Sequence, residues 1–165
     1  MNSLPIHPAI VHVPIGLAVV APFVALWGLV VFLRGRPARQ IWSLAAFLQV
    51  LVTIGGVAAL RTGEAEEERV EDVVPELAIE THEARAERFV WTAGGAALTA
   101  VAAAAAPAGP LAPVTAVAAT LASGVTAAGA LWVGHSGGEL VYRHGAAQVY
   151  ASLTDRGTAR EHDDD

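Results

Sequence analysis

The chain has 165 residues and a mass of 17.0 kDa, enough for one domain, and 54% of its residues are hydrophobic. That share exceeds the roughly 45–50% of ordinary soluble domains, and the charged residues are absent from two long stretches, 1–33 and 89–138. The absence of cysteine excludes disulfides, thiolate zinc sites, iron–sulfur clusters and covalently attached haem, while the net charge of −6 argues against a nucleic-acid partner.

Uncharged apolar segments of membrane length follow one another along the chain. A bilayer core about 30 Å thick needs about 20 helical residues, so each segment is long enough to cross it. The predicted spans cover about 9–33, 41–60, 89–106 and 113–133. The sequence therefore predicts an all-α fold, an integral membrane four-helix bundle over residues 1–150, followed by a polar C-terminal tail at 151–165.

The third predicted span consists mainly of alanine and glycine, so lipid contacts alone would hold it weakly in the bilayer. We expect it to pack among its neighbours, because small residues let membrane helices approach closely. The small residues that we expect at such contacts are Gly94, Gly95, Gly124, Ala128 and Gly129.

The segments between the spans differ in charge and predict the orientation. Residues 34–39 contain three arginines and no acid, whereas residues 61–88 contain four arginines and ten acidic residues and form an acidic extramembrane helical loop. Positive loops stay in the cytoplasm. We therefore expect a multi-pass protein of the cytoplasmic membrane with both termini and residues 61–88 outside. Trp91, Trp132 and Trp42 are predicted to lie at the membrane interfaces.

Five of the six histidines fall on this outer side, and they are His7, His12, His82, His135 and His144. His12 enters the first span, where ionisable residues are rare and usually functional. His7 and His12 lie about 140° apart on an ideal helix and are not expected to share one ion. Each histidine by itself also fits a simple polar anchor at the interface.

A histidine cluster without cysteine is suited to haem b or to a small metal site. Haem b needs one or two imidazoles, and we expect His12 and His135 as the axial pair, with His82 or His7 as alternatives. A zinc or copper ion needs three or four ligands, for which His12, His82, Glu83 and His135 are candidates. The cationic and phenolic groups available for haem propionates are Arg85, Arg143 and Tyr142.

Several motifs resemble an uncharacterised bacterial family of integral membrane proteins, domain of unknown function 2231. They are the opening His7-Pro8-Ala9-Ile10-Val11-His12-Val13-Pro14-Ile15, Thr62-Gly63-Glu64, His82-Glu83, and Gly134-His135-Ser136-Gly137-Gly138-Glu139-Leu140-Val141-Tyr142. The resemblance covers about residues 5–148, with Val13 in place of the usual Phe. It implies a membrane partner of electron-transfer modules, and it implies haem binding through the histidines of these motifs.

The leading functional hypothesis is therefore electron transfer by haem b at the outer face of the membrane. The alternatives are a divalent-metal binding module and a non-catalytic membrane scaffold or partner subunit. No hydrolase or nucleotide-binding motif is present, which argues against a stand-alone enzyme. The expected partners are the lipid bilayer and a separate redox protein or membrane subunit, and an oligomer is compatible with the sequence.

Overall fold

Every regular element in the described part of the computed structural model, residues 6–106 and 109–149, is a helix. The helices are α1 Ile6–Ile10, α2 His12–Leu33, α3 Arg39–Val70, α4 Glu76–Ala105 and α5 Leu111–Tyr142. A break at Val11 separates α1 from α2, because Pro14 has no amide hydrogen to donate to the carbonyl group of Ile10. Four segments are long and apolar enough to cross a membrane, namely α1 joined with α2, and α3, α4 and α5 each by itself.

The four long helices form a closed ring. Each packs against its neighbours in the chain, and α2 packs against α5 to complete the bundle. The predicted all-α four-helix bundle is therefore confirmed. One end of the bundle carries the connection at 34–38 and is called the arginine-loop end; the opposite end carries α1 and is called the histidine end.

The acidic segment at residues 61–88 is almost entirely helical. α3 continues without a break to Val70, and α4 already begins at Glu76, so only residues 71–75 connect the two helices. Pro75 lies at the N-terminal boundary of α4, where its missing amide hydrogen costs no helical hydrogen bond. Residues 61–70 and 76–88, which lie outside the predicted spans, therefore extend both helices beyond the apolar part of the bundle at the histidine end.

Small side chains fill the interior of the bundle. Towards the arginine-loop end the core is built from alanines of all four long helices around Trp42, and towards the histidine end Ala18, Val52, Phe89 and Ala130 pack together. Large apolar side chains lie on the outside instead, including Phe23, Trp27, Phe47, Leu98, Leu121 and Leu131. This distribution suits a bundle surrounded by lipid, where the outer surface gains nothing from being polar.

Trp42 and three of the five small residues expected at helix contacts do not pack as predicted, whereas Gly94 and Gly129 do lie near neighbouring helices. Trp42 is only 2% exposed and contacts Gly28 inside the bundle, so its indole faces the other helices and is not an anchor exposed to the surroundings of the bundle. Gly95, Gly124 and Ala128 are exposed on the outside of the bundle, where they face no other helix. The glycines at which an added Cβ would lie nearest to another helix are Gly28, Gly55, Gly56, Gly63 and Gly137.

A buried polar contact lies between the two apolar parts of the core. Gln49 Nε2 on α3 donates to Ser123 Oγ on α5 at 3.0 Å, and Ser123 Oγ donates to the carbonyl group of Ala119 at 2.8 Å. Both side chains are fully buried. Among the described residues no group donates to Gln49 Oε1, so this amide oxygen is unsatisfied inside the bundle.

Candidate functional site

His7 packs against the far end of α3, at the histidine end. Its Nδ1 lies 2.9 Å from the carbonyl oxygen of Ala59 and 3.1 Å from Thr62 Oγ1. The hydroxyl group of Thr62 already donates to backbone carbonyls one turn earlier in α3. The hydrogen therefore belongs to Nδ1 of His7, which donates to both oxygens, and Nε2 keeps its lone pair.

His82 makes the same kind of contact between α4 and α5. Its Nδ1 lies 2.9 Å from Ser136 Oγ, and the hydroxyl group of Ser136 donates to the carbonyl group of Val133 at 2.9 Å. Ser136 thus accepts a hydrogen bond from Nδ1–H of His82. No described residue forms a hydrogen bond with Nε2 of either His7 or His82, so both lone pairs are available to a ligand.

A glycine follows the hydroxyl residue in both contacts. A Cβ at Gly63 would lie 3.2 Å from Cε1 of His7, and a Cβ at Gly137 would lie 3.1 Å from Cε1 of His82. The histidine precedes its hydroxyl partner by 55 residues in the first case and by 54 in the second. The hairpins α2–α3 and α4–α5 are therefore pinned at the same end by matching contacts, here called the two histidine clamps.

The two clamps lie close enough to affect each other. His82 is in the extension of α4 that precedes the predicted span, where burial, followed by the charges of His7 and Arg85, lowers its pKa from 6.5 to about 4. The guanidinium group of Arg85 stacks over the ring of Trp132 at 4.8 Å. At neutral pH His82 is therefore an uncharged imidazole, the form that binds a metal.

Carboxylates surround the clamps on the helical extensions. Burial lowers the pKa of His7, and the hydrogen bond to Ala59 and then the carboxylate of Glu66 only partly oppose this effect. Burial and then the carboxylates of Glu67 and Glu87 raise the pKa of Glu83.

The remaining predicted histidines lie apart from this pair. His12 is exposed, and its Nδ1 donates back to the carbonyl group of Pro8 one turn earlier. The His135 side chain is 74% exposed, with Nε2 4.0 Å from a carboxylate oxygen of Glu139. His144 is half-buried just after α5. The expected axial pair, His12 and His135, is therefore on the surface.

The predicted four-ligand set of His12, His82, Glu83 and His135 does not form a metal-binding group. Within residues 6–106 and 109–149, no three histidine or acidic side chains lie close enough together to hold one ion. The structure instead holds His7 and His82, the two histidines expected as alternatives, in hydrogen bonds at the same end of the bundle. Their clamp partners, Thr62 and Ser136, were missed, although each stands directly before a glycine in the sequence.

Residues 3–149 of the chain match the family described as predicted membrane protein, DUF2231, which covers most of its length. Comparison with curated proteins and with solved structures gives no match. Because the family match covers far more than half of the chain and four helices can span a bilayer, this is an integral membrane protein. The chain belongs to the DUF2231 family.

Proposed function

We propose that this membrane protein binds haem b through His7 and His82 and transfers electrons at the histidine end of the bundle. The observation that carries the proposal is the pair of clamps. Two imidazoles, each held through Nδ1–H, present free Nε2 lone pairs from neighbouring hairpins. When bound, the haem iron would supply one-electron chemistry by cycling between its ferric and ferrous states.

The hydrogen bonds of the clamps are those that ligand histidines require. A histidine that binds a metal through Nε2 usually donates its Nδ1–H to a carbonyl, carboxylate or other acceptor, which fixes the tautomer and the ring orientation. Ala59 and Ser136 provide these acceptors here. His7 and His82 therefore match axial ligands better than His12 and His135, whose side chains are exposed.

The number of ligands also favours haem over a bare metal ion. A macrocycle occupies four positions on iron, so the protein needs to supply only one or two imidazoles. Zinc requires three or four protein ligands, and the described residues bring together no such group. A copper or zinc ion is the second candidate. The carboxylate of Glu66 near His7 supports it, and this carboxylate would have to move to complete a metal site.

The orientation that we propose places the histidine end outside the cytoplasmic membrane, with both termini on that side. Arg34, Arg36 and Arg39 at the opposite end support it, because positively charged connections stay in the cytoplasm. A separate redox protein would then exchange electrons at the outer face.

Absorption spectroscopy tests the proposal on protein purified in detergent from haem-replete cells. We expect a Soret band that shifts on dithionite reduction, a sharp α band and one haem per chain. His7→Ala and His82→Ala should each lose or strongly alter these bands. The matched controls are His12→Ala and His135→Ala, which remove exposed histidines at the same end and should keep the spectrum.

Three results would overturn the haem proposal. A colourless wild-type protein from haem-replete cells would exclude it, and copper or zinc found in that protein by elemental analysis would support the second candidate. A spectrum lost only in the His12 or His135 variants would refute the assignment of ligands. A colourless, metal-free protein that unfolds on replacing His7 or His82 would make the clamps purely structural.

A further inference from the structure

A cavity of about 690 Å³ lies at the arginine-loop end, between the end of α2, the start of α3 and the end of α4. Its lining includes the apolar residues Phe32, Trp42 and Ala103 and two arginines, Arg36 and Arg39. The cavity thus combines an apolar surface with two positive charges, at the end of the bundle opposite to the histidine clamps.

Within residues 6–106 and 109–149 these arginines have no counterion. Neither side chain makes an ion pair with any described residue. The sequence contains no aspartate or glutamate before Glu64 and none between Glu87 and Glu139, so the helix ends that form this end of the bundle carry no acid. Both arginines are exposed beside the cavity, so their guanidinium groups are free to pair with an anion from outside the chain.

The position of the cavity indicates which kind of anion it binds. It lies where the apolar parts of α2, α3 and α4 end, which is the depth of phospholipid headgroups. We propose that this cavity binds one anionic phospholipid, with its phosphate between Arg36 and Arg39. The glycerol and upper acyl chain lie against Phe32 and the alanines at the end of α4. Arginine suits this role because its planar group donates two hydrogen bonds to a phosphate.

The apolar wall separates this proposal from the binding of free phosphate. A small hydrated ion would gain nothing from the phenyl ring of Phe32 and the alanines of α4, whereas a lipid buries its glycerol and acyl carbons against them. Basic pockets between membrane helices at the headgroup level commonly bind anionic lipids in this way. The proposal is independent of haem, because none of its residues belongs to the histidine clamps.

Native mass spectrometry of the full chain tests the proposal. Protein delipidated in detergent is titrated with phosphatidylglycerol or with phosphatidylcholine of the same acyl chains. We expect one phosphatidylglycerol to bind at least about 10-fold more tightly than phosphatidylcholine. The double variant Arg36→Gln/Arg39→Gln should lose this preference. The control Arg61→Gln/Arg143→Gln removes the same number of positive charges at the histidine end and should keep it.

Equal binding of the two lipids by the wild-type protein would overturn the proposal, and this comparison needs no variant to fold. A preference that survives in the Arg36/Arg39 double variant, with its helical content unchanged, would also overturn it. Displacement of phosphatidylglycerol by millimolar inorganic phosphate would show that the cavity recognises the anion alone and not the lipid.

Discussion

Replacing Gln49 with leucine is expected to stabilise the bundle. The change removes the hydrogen bond from Gln49 Nε2 to Ser123 Oγ, and interhelical hydrogen bonds inside membranes contribute about 0.6 kcal/mol on average. It also removes the unsatisfied Oε1, and an unpaired buried polar group costs about 1–3 kcal/mol. Leucine has a similar volume, and Ser123 still donates to Ala119. The free energy of unfolding should therefore rise by about 1 kcal/mol.

Reversible unfolding in mixed micelles of dodecyl maltoside and SDS, followed by far-UV circular dichroism, measures this difference. The matched control is Ser123→Ala, which leaves Gln49 Nε2 without its acceptor and should lower the free energy of unfolding by about 1–3 kcal/mol. Opposite signs for the two variants are the expected result. A loss of more than about 1 kcal/mol in Gln49→Leu would refute the reasoning, because Oε1 would then have a stabilising partner.

Two further predictions concern the clamp at His82. Gly137→Ala should lower the unfolding midpoint relative to Gly138→Ala. A Cβ at Gly137 would lie 3.1 Å from the imidazole of His82, whereas a Cβ at Gly138 has no neighbour within 4 Å. Equal midpoints for the two variants would show that the ring shifts freely. The lowered pKa of His82 means that protonation favours the unfolded chain, so its contribution to stability is fully present above pH 6.5 and declines as the pH falls towards 4. Over that range the haem-free wild-type protein should lose stability relative to haem-free His82→Gln, and parallel pH curves for the two proteins would contradict this.

The fold follows from the sequence because its main determinant is local. Long uncharged segments predict membrane helices regardless of how those helices pack. The extension of α3 to Val70 was harder to predict, because the acidic residues that end an apolar segment do not end a helix. Glutamate, alanine and arginine are good helix formers, and no proline interrupts them before Pro75.

The orientation of side chains around each helix could not be predicted in the same way. The position of Trp42 near the end of a span suggested an interfacial anchor, but depth in the membrane does not say which side of the helix faces the other helices. The rotation of α3 directs Trp42 inward against Gly28, where the missing Cβ makes room for the indole. Glycines that seemed available for close packing, such as Gly95, lie on the lipid side for the same reason.

The candidate site could likewise be predicted only in part. Hydropathy and the number of crossings predicted that the histidines gather at one end. Which histidines pair depends on the packing between hairpins, which brings His7 to Thr62 and His82 to Ser136. The sequence did contain a signal, because each of the two histidines is followed, 54 or 55 residues later, by a hydroxyl residue and a glycine. Only the folded hairpins show that these residues contact each other.

The alanine-rich interior determines how the chain tolerates change. In most water-soluble domains the damaging core substitutions remove atoms and leave cavities. Here residues such as Ala25, Ala45, Ala100 and Ala119 have almost no side-chain volume to lose. Substitutions that add even a few carbon atoms at these positions force whole helices apart. The lipid-facing side chains can therefore vary widely, and the smallest residues of the bundle are the least replaceable.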